Sequence, residues 1–219
     1  MKRRLQITED GSHTLYVPEL DEPYHSIHGA LQESMHVFIN QGFNKVSASP
    51  LRILELGFGT GLNALLTFIA GWKDKKRIFY QAVEKYPLRP EEYKELNYHM
   101  YTGEEFRAPF MNMHEAPWEV DAPVGEGFVI RKEKADFSSM NPEPPFDLVY
   151  FDAFDPNKQP ELWTEEIFEK ISHLVIPGAV LVTYSAKGSV RRALNACGFA
   201  VEKVPGPPGK REMVRAIRI

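Results

Sequence analysis

The 219-residue chain carries 26 Lys and Arg against 30 Asp and Glu, a formal charge of −4, with 43% apolar and 26% charged residues, an ordinary globular composition that excludes fibrous and disordered classes. Its one cysteine, Cys197, excludes a disulfide framework and any zinc site built on two thiolates, and no apolar run approaches the roughly 20 residues that a bilayer crossing requires. A single domain over residues 1–219 is expected at this length, and the basic start Met1-Lys2-Arg3-Arg4, with no apolar stretch after it, is no secretory signal, so the expected setting is cytoplasmic and reducing.

Residues 1–50 read as an N-terminal extension. Within it Thr14-Leu15-Tyr16-Val17 is strand-like and stopped by Pro18, and Ala30, Leu31, Met35, Val37, Phe38 and Ile39 predict a helix over 30–40. A short apolar strand, Leu51 to Leu56, then runs into Gly57-Phe58-Gly59-Thr60-Gly61, and a helix follows from Leu62 to Ala70 with Gly71 as its stop. Ile78 to Glu84 is a second strand, and Pro90 with Glu91 and Glu92 behind it opens a second helix through Leu96. Residues 99–126 are broken by Gly103, Pro109, Pro117, Pro123 and Gly125 and read as an insertion near the sheet edge. Gly127 to Lys132 and Phe146 to Asp152 are the third and fourth strands. Thr164 caps a helix through Leu174, Ala179 to Tyr184 is the fifth strand, and a helix from Ser189 to Cys197 ends at Gly198. The strands at 199–204 and 212–217 are joined by Pro205-Gly206-Pro207-Pro208-Gly209, a turn that predicts an antiparallel hairpin. The pattern is α/β: a doubly wound, mostly parallel, Rossmann-like sheet with an antiparallel C-terminal hairpin, the shape of class I methyltransferases.

Four features carry chemistry. Glu55-x-Gly57-x-Gly59-x-Gly61 closes a strand and opens a helix, with Phe58, Thr60 and Asn63 in the same turn. A dinucleotide fingerprint is spaced G-x-G-x-x-G; here the spacing is G-x-G-x-G with an acid two residues ahead, which favours S-adenosylmethionine and disfavours a NAD-dependent oxidoreductase. Glu84, followed by Lys85, ends the second strand near the offset at which an acid meets ribose hydroxyls. Asp136, followed by Phe137, stands after the third strand, where an acid can accept an adenine amino group while the ring flanks the base. Asp152 stands beyond the fourth strand, at the carboxyl edge where ligands of open α/β sheets bind. Methyl transfer to an amine needs the amine neutral, and a carboxylate beside it binds the ammonium and accepts its proton. Tyr150, Phe154 and Trp163 offer aromatic surface to a cation or pack in the core, and Asp155, ahead of Pro156, is either a second acid or a turn residue. His25, His28, Glu33 and His36 lie close in sequence, but His25 and His28 precede the predicted helix, no H-E-x-x-H occurs, and no metal site is expected. Cys197, at a helix end, reads as a packing residue.

Charge is unevenly placed. From Lys187 to Ile219 there are eight basic residues and two acidic ones, so this segment carries +6 and residues 1–186 carry −10. Lys187, Arg191, Arg192, Lys210 and Arg211 are the candidate contacts to an anionic partner, with a solvated helix face and strand edge as the alternative.

Tyr24-His25-Ser26-Ile27-His28-Gly29-Ala30-Leu31-Gln32-Glu33-Ser34, Leu54 to Asn63, Val83-Glu84-Lys85-Tyr86-Pro87-Leu88, Asp152-Ala153-Phe154, Lys158 to Trp163, Val190 to Leu194 and Gly209-Lys210-Arg211-Glu212-Met213 together resemble the methyltransferase domain of the bacterial bifunctional enzymes that make 5-methylaminomethyl-2-thiouridine at the tRNA wobble position. The resemblance covers about residues 20–219. It implies N-methylation of 5-aminomethyl-2-thiouridine by S-adenosylmethionine, tRNA as partner, and Tyr24, Ser26 and Glu33 in a cover over the substrate. The bifunctional enzymes carry a second, FAD-dependent domain for which 219 residues leave no room, so a stand-alone methyltransferase is expected, with a separate enzyme supplying the aminomethyl group. Asp155 and Gln159 depart from the family, which usually has a small residue and often an Asn there. Asp152-x-x-Asp155-Pro156 also resembles the aminopropyltransferase (spermidine synthase) loop, whose paired aspartates hold an amine; that family has an N-terminal β-domain, whereas this chain reads as helical by residue 30. A third alternative is an RNA-binding module without chemistry, against which the intact glycine loop, Glu84 and Asp152 argue.

Overall fold

The computed structural model describes residues 1–140 and 142–219. Three short strands begin the chain: β1 (Arg4–Ile7), β2 (His13–Val17) and β3 (Glu22–Pro23). They form an antiparallel sheet in sequence order. Only β2 is visible in the sequence, because β1 has a mostly exposed face and β3 is two residues long. The predicted helix at 30–40 forms as α1 (Ala30–Ser34) continuing into a π-helical stretch, Met35–Asn40.

The body is an eight-stranded sheet. Its elements follow as β4 (Leu51–Leu56), α2 (Leu62–Asp74), β5 (Ile78–Val83), α3 (Pro90–Tyr93), α4 (His99–Thr102), α5 (Arg107–Glu115), β6 (Asp121–Gly125), β7 (Phe128–Glu133), β8 (Phe146–Phe151), α6 (Glu165–Leu174), β9 (Val175–Thr183), α7 (Gly188–Ala196), β10 (Phe199–Pro205) and β11 (Glu212–Arg218). Their order across the sheet is β10-β11-β9-β8-β4-β5-β7-β6. The β7-β5-β4-β8-β9 centre is parallel, and β6, β11 and β10 pair antiparallel at its two edges. The chain leaves β4 toward β5 and β7, then returns to the other side of β4 as β8. That reversal opens a crevice beyond the carboxyl ends of β4 and β8.

Strand alternation decides what faces the crevice. In β4, Leu51 and Ile53 pack into the core under α1 and α2, while Leu54 and Leu56 pack into the core under α6 and α7. Glu55 has the parity of Leu51 and Ile53 and so faces α2. In β8, Leu148 and Tyr150 share that face and Val149 and Phe151 take the other. Asp152, next in line, continues the parity of Tyr150, which pairs with Glu55 in register. Two covered faces explain why these strands read as nearly unbroken apolar runs.

One expectation needs correction. Gly71 does not end α2, which runs on to Asp74 with Lys75 left-handed behind it. Gly71 is instead a packing glycine, because a β-carbon there would collide with Ile78. Residues 99–126, read as an insertion near the sheet edge, hold α4, α5 and the edge strand β6. Their breaks mark the ends of short elements.

Candidate active site

A cavity of about 440 Å³ lies at the switch point, within the usual range for small-molecule sites. Tyr24, Ser26, Glu33, Gly57, Phe58, Gly59, Thr60, Asn63, Glu84, Lys85, Asp136, Phe137, Asp152, Phe154, Asp155 and Lys210 line it, so most of the residues singled out in the sequence come together. Trp163, Lys187, Arg191, Arg192 and Arg211 do not reach it. Trp163 is buried behind the loop, where its indole N–H donates to the Phe154 carbonyl at 2.8 Å; it shapes the loop and offers no surface to a substrate. Glu55 and Gly61 stand immediately behind the lining.

The glycine loop is shaped by backbone proximity. Gly57 has φ +94°, and a β-carbon on it would sit 2.6 Å from the Asp152 carbonyl oxygen, so this position excludes every side chain. Gly59 N–H donates to Glu84 at 2.9 Å, and Tyr86 N–H donates to the other Glu84 oxygen at 2.7 Å. The carboxylate is thereby fixed while keeping further lone pairs for hydroxyls. Lys85 pairs with Asp136 at 2.9 Å, and the Ser138 N–H and hydroxyl donate to the same carboxylate. The Lys85 bond and these donors hold Asp136 below its usual pKa. From the insertion, His114 Nε2 reaches the Thr60 carbonyl at 3.0 Å. Burial pushes His114 down to about 3, so the ring is neutral and donates this bond. Nothing in the sequence marked His114.

The acids beyond β4 and β8 form a different array. Glu55 is fully buried. Asn63, in the first turn of α2, donates from one amide nitrogen to Glu55 at 3.0 Å and to Asp152 at 2.8 Å. Burial, with the Asp152 charge behind it, raises Glu55 well above the carboxylate range. Burial and then the Glu33 charge push Asp152 up to about 7, against the Asn63 bond and the nearby Lys210. An acid poised there exchanges a proton near neutrality.

The loop after Asp152 is pinned from three sides. Tyr184 donates to the Ala153 carbonyl at 2.8 Å, Trp163 holds Phe154, and Glu22 accepts from Asp155 N–H at 3.0 Å. Asp155 accepts from Lys187 at 2.6 Å and from Asn157 N–H at 2.8 Å. Against the effect of burial, these bonds keep it below its usual pKa. Asp155 is thus a turn acid tied to Lys187. Across the cavity, the Tyr24 ring stands edge-on to Phe154 at 5.0 Å and its hydroxyl accepts from Arg3 at 2.8 Å. His25, weighed as a metal ligand, is buried against Thr14 and Thr60, and burial lowers it to about 4. Glu22 and Tyr184 also line the cavity and escaped the sequence reading. Tyr184 was within reach, because it follows a strand end by the same rule that found Asp152.

The basic segment is less free than its count. Lys203 pairs with Glu212, Arg215 with Glu202, Lys210 with Glu33 and Lys187 with Asp155. Arg218 donates to the Gly198 and Ser172 carbonyls. Arg191, Arg192 and Arg211 make no ion pair among the described residues, and Arg192 and Arg211 are exposed.

Comparison with known proteins bears on this geometry. A family described as S-adenosyl-L-methionine-dependent methyltransferase matches residues 129–219. The tRNA 5-methylaminomethyl-2-thiouridine biosynthesis bifunctional protein MnmC of Cupriavidus metallidurans is 33% identical over 228 residues, spanning 96% of this chain and 33% of that protein. The chain is an S-adenosyl-L-methionine-dependent methyltransferase. The MnmC of Aeromonas salmonicida is 32% identical over 226 residues, with 92% of this chain and 33% of that one covered; the chain thus spans about a third of the length of these curated relatives. The crystal structure of MNMC2 from Aquifex aeolicus superposes with a TM-score of 0.82 at 28% identity, covering 99% of this chain and 70% of that one. TrmN from Thermus thermophilus, at TM-score 0.51 and 15% identity over 88% of this chain and 48% of its own, shares the fold. The methyltransferase fold and its antiparallel C-terminal strands are as expected. The helical N-terminus does not exclude an aminopropyltransferase, since a small β-sheet is present there. Among the described residues no helix is long and apolar enough to cross a membrane.

Proposed function

We propose that this methyltransferase acts on the exocyclic amine of 5-aminomethyl-2-thiouridine at the tRNA wobble position, giving 5-methylaminomethyl-2-thiouridine. The observation that carries the reading is Asp152: an acid raised to about 7, facing the cavity beyond the switch point, in a chain whose similarity to the MnmC proteins runs over nearly its whole length. The glycine loop, with no room for side chains at Gly57, and the fixed carboxylate of Glu84 fit S-adenosylmethionine. Glu84 would hold its ribose, and Asp136 and Phe137 its adenine. When bound, the cofactor supplies an electrophilic methyl group.

The substrate amine arrives as an ammonium near neutral pH. Asp152 holds it, takes one proton, and leaves a neutral nitrogen with a free lone pair. Asn63 keeps the carboxylate oriented through that exchange. Lys187, Arg191, Arg192, Lys210 and Arg211 are the residues assigned to tRNA phosphates; Lys187 and Lys210 are paired with acids, which leaves Arg192 and Arg211 the most available.

The test offers the purified protein labelled S-adenosylmethionine with tRNA bearing aminomethyl uridine and, separately, decarboxylated cofactor with putrescine. Label in the tRNA is the expected result. Polyamine product alone would overturn the reading in favour of aminopropyl transfer, and cofactor binding with neither product would leave an RNA-binding module.

A further inference from the structure

Lys210 extends from the connection between β10 and β11 into the cavity. Its ammonium lies 2.7 Å from Glu33 Oε1 and 3.9 Å from the centroid of the Tyr184 ring. A carboxylate beside an aromatic face is the pairing that recognises an alkylammonium. Glu33 is fixed from behind, because its other oxygen accepts from Ser26 N–H at 2.7 Å. The Tyr184 ring is fixed by its hydroxyl on the Ala153 carbonyl. Two further residues that line the cavity carry buried acceptors without partners among the described residues: Glu22 Oε2 and Asn63 Oδ1. Buried acceptors of this kind favour a ligand rich in donors, and an ammonium has three N–H groups. The cavity therefore already holds one primary ammonium, and it is the protein's own.

We propose that Glu33 and the Tyr184 ring, lining the same cavity as Asp152, complete with it the seat of the substrate's primary ammonium, and that Lys210 occupies this seat in the free protein and leaves it when the substrate enters. The inference rests on the amine substrate argued above. Two ammonium groups cannot share one carboxylate and one ring face, so entry of one displaces the other. Lys210 has an unbranched side chain that is 34% exposed, and Arg211 beside it is exposed on the same connection. A phosphate arriving at Arg211 gives the displaced Lys210 a new partner. An amine carried on RNA brings that phosphate with it. A free nucleoside or a polyamine does not, and meets a seat that stays filled.

The experiment compares wild type, Lys210→Met, Lys210→Gln, Lys210→Arg and Glu33→Gln. Binding of free 5-aminomethyluridine and of an anticodon stem-loop carrying it is measured by calorimetry with S-adenosylhomocysteine present; methylation is measured separately. A seat filled nine-tenths of the time weakens apparent affinity about tenfold. Lys210→Met and Lys210→Gln are therefore expected to tighten nucleoside binding by about that factor, Lys210→Arg to leave it near wild type, and Glu33→Gln to weaken it for both ligands. Unchanged or weaker nucleoside binding in both neutral Lys210 variants overturns the proposal, as does an equal gain in Lys210→Arg. Wild-type binding without methylation would count against the substrate reading alone, since the seat is judged by affinity.

Discussion

The cavity is enclosed by two walls of different construction. Along one run the carboxyl ends of β4, β5 and β8, where Glu55, Glu84 and Asp152 are aimed by strand parity and held by bonds within the sheet and the first turn of α2. Along the other lie residues 20–33 and the β10–β11 connection, joined by polar ties between distant segments: Arg3 to Tyr24, Glu33 to Lys210, and His36 to the Pro205 carbonyl. The first wall is set by backbone geometry and the second by side-chain pairs between segments far apart in the chain. Chemistry needs a wall fixed by backbone, whereas entry and exit are easier past one held by side-chain pairs.

The sharpest test of this division is Asp152→Asn. Loss of a general base costs about 10²–10⁴-fold, so kcat is expected to fall by that much while S-adenosylmethionine affinity changes little; equal loss of both would show that Asp152 serves the cofactor. Arg3→Ala tests the other wall. Arg3 ties Tyr24, Glu92 and the Tyr86 carbonyl together, and charge-assisted bonds of this kind are worth about 1.5–3 kcal/mol. KM for the RNA should rise by about tenfold with kcat nearly kept, and a fall in kcat alone would erase the distinction.

A smaller effect concerns pH. Asp152 must be ionised to accept a proton, so kcat/KM should climb through about pH 7. Asn63→Ala removes the bond that favours the carboxylate, and the midpoint is expected to move up; a fixed midpoint would assign the profile to another group. Stability runs the opposite way. A carboxyl whose folded pKa is raised takes up protons on folding, so its cost is absent below the unfolded pKa and grows as pH rises toward 7. Asp152→Asn should then raise Tm by roughly 2–4 °C at pH 8 and not at pH 4, as read by thermal melts. Smallest is Arg191→Glu with Arg192→Glu, expected to weaken RNA binding a few-fold and flatten its salt dependence; an unchanged slope would return α7 to an ordinary solvated face.

The same division separates what could be read from the sequence. Glu55, the glycine loop, Glu84 and Asp152 were legible because strand ends are local patterns and the switch-point rule says where they point. Tyr184 obeys that rule too. The tie from Glu33 to Lys210 spans 177 positions, and no local pattern encodes a partner at that distance. Nor does one reveal that Lys187 and Lys203 are spoken for by acids, which is why the charge count of the C-terminal segment overstated its hold on an anion. β1 and β3 went unseen for the opposite reason: they are too short and too exposed to leave a period.

Asn63 has a consequence of a different kind. An amide has a donor end and an acceptor end, and here one nitrogen serves two acids. Turned by half a rotation, it would present to both acids its oxygen in place of the nitrogen that now bonds them. Burial raises both of the acids that share this nitrogen above the ordinary carboxylate range. The same side chain thus stands in the first turn of α2 behind the glycine loop and beside Asp152. Glycine loop and Asp152 are in that sense one piece, and the amine proposed as substrate would be measured against both at once.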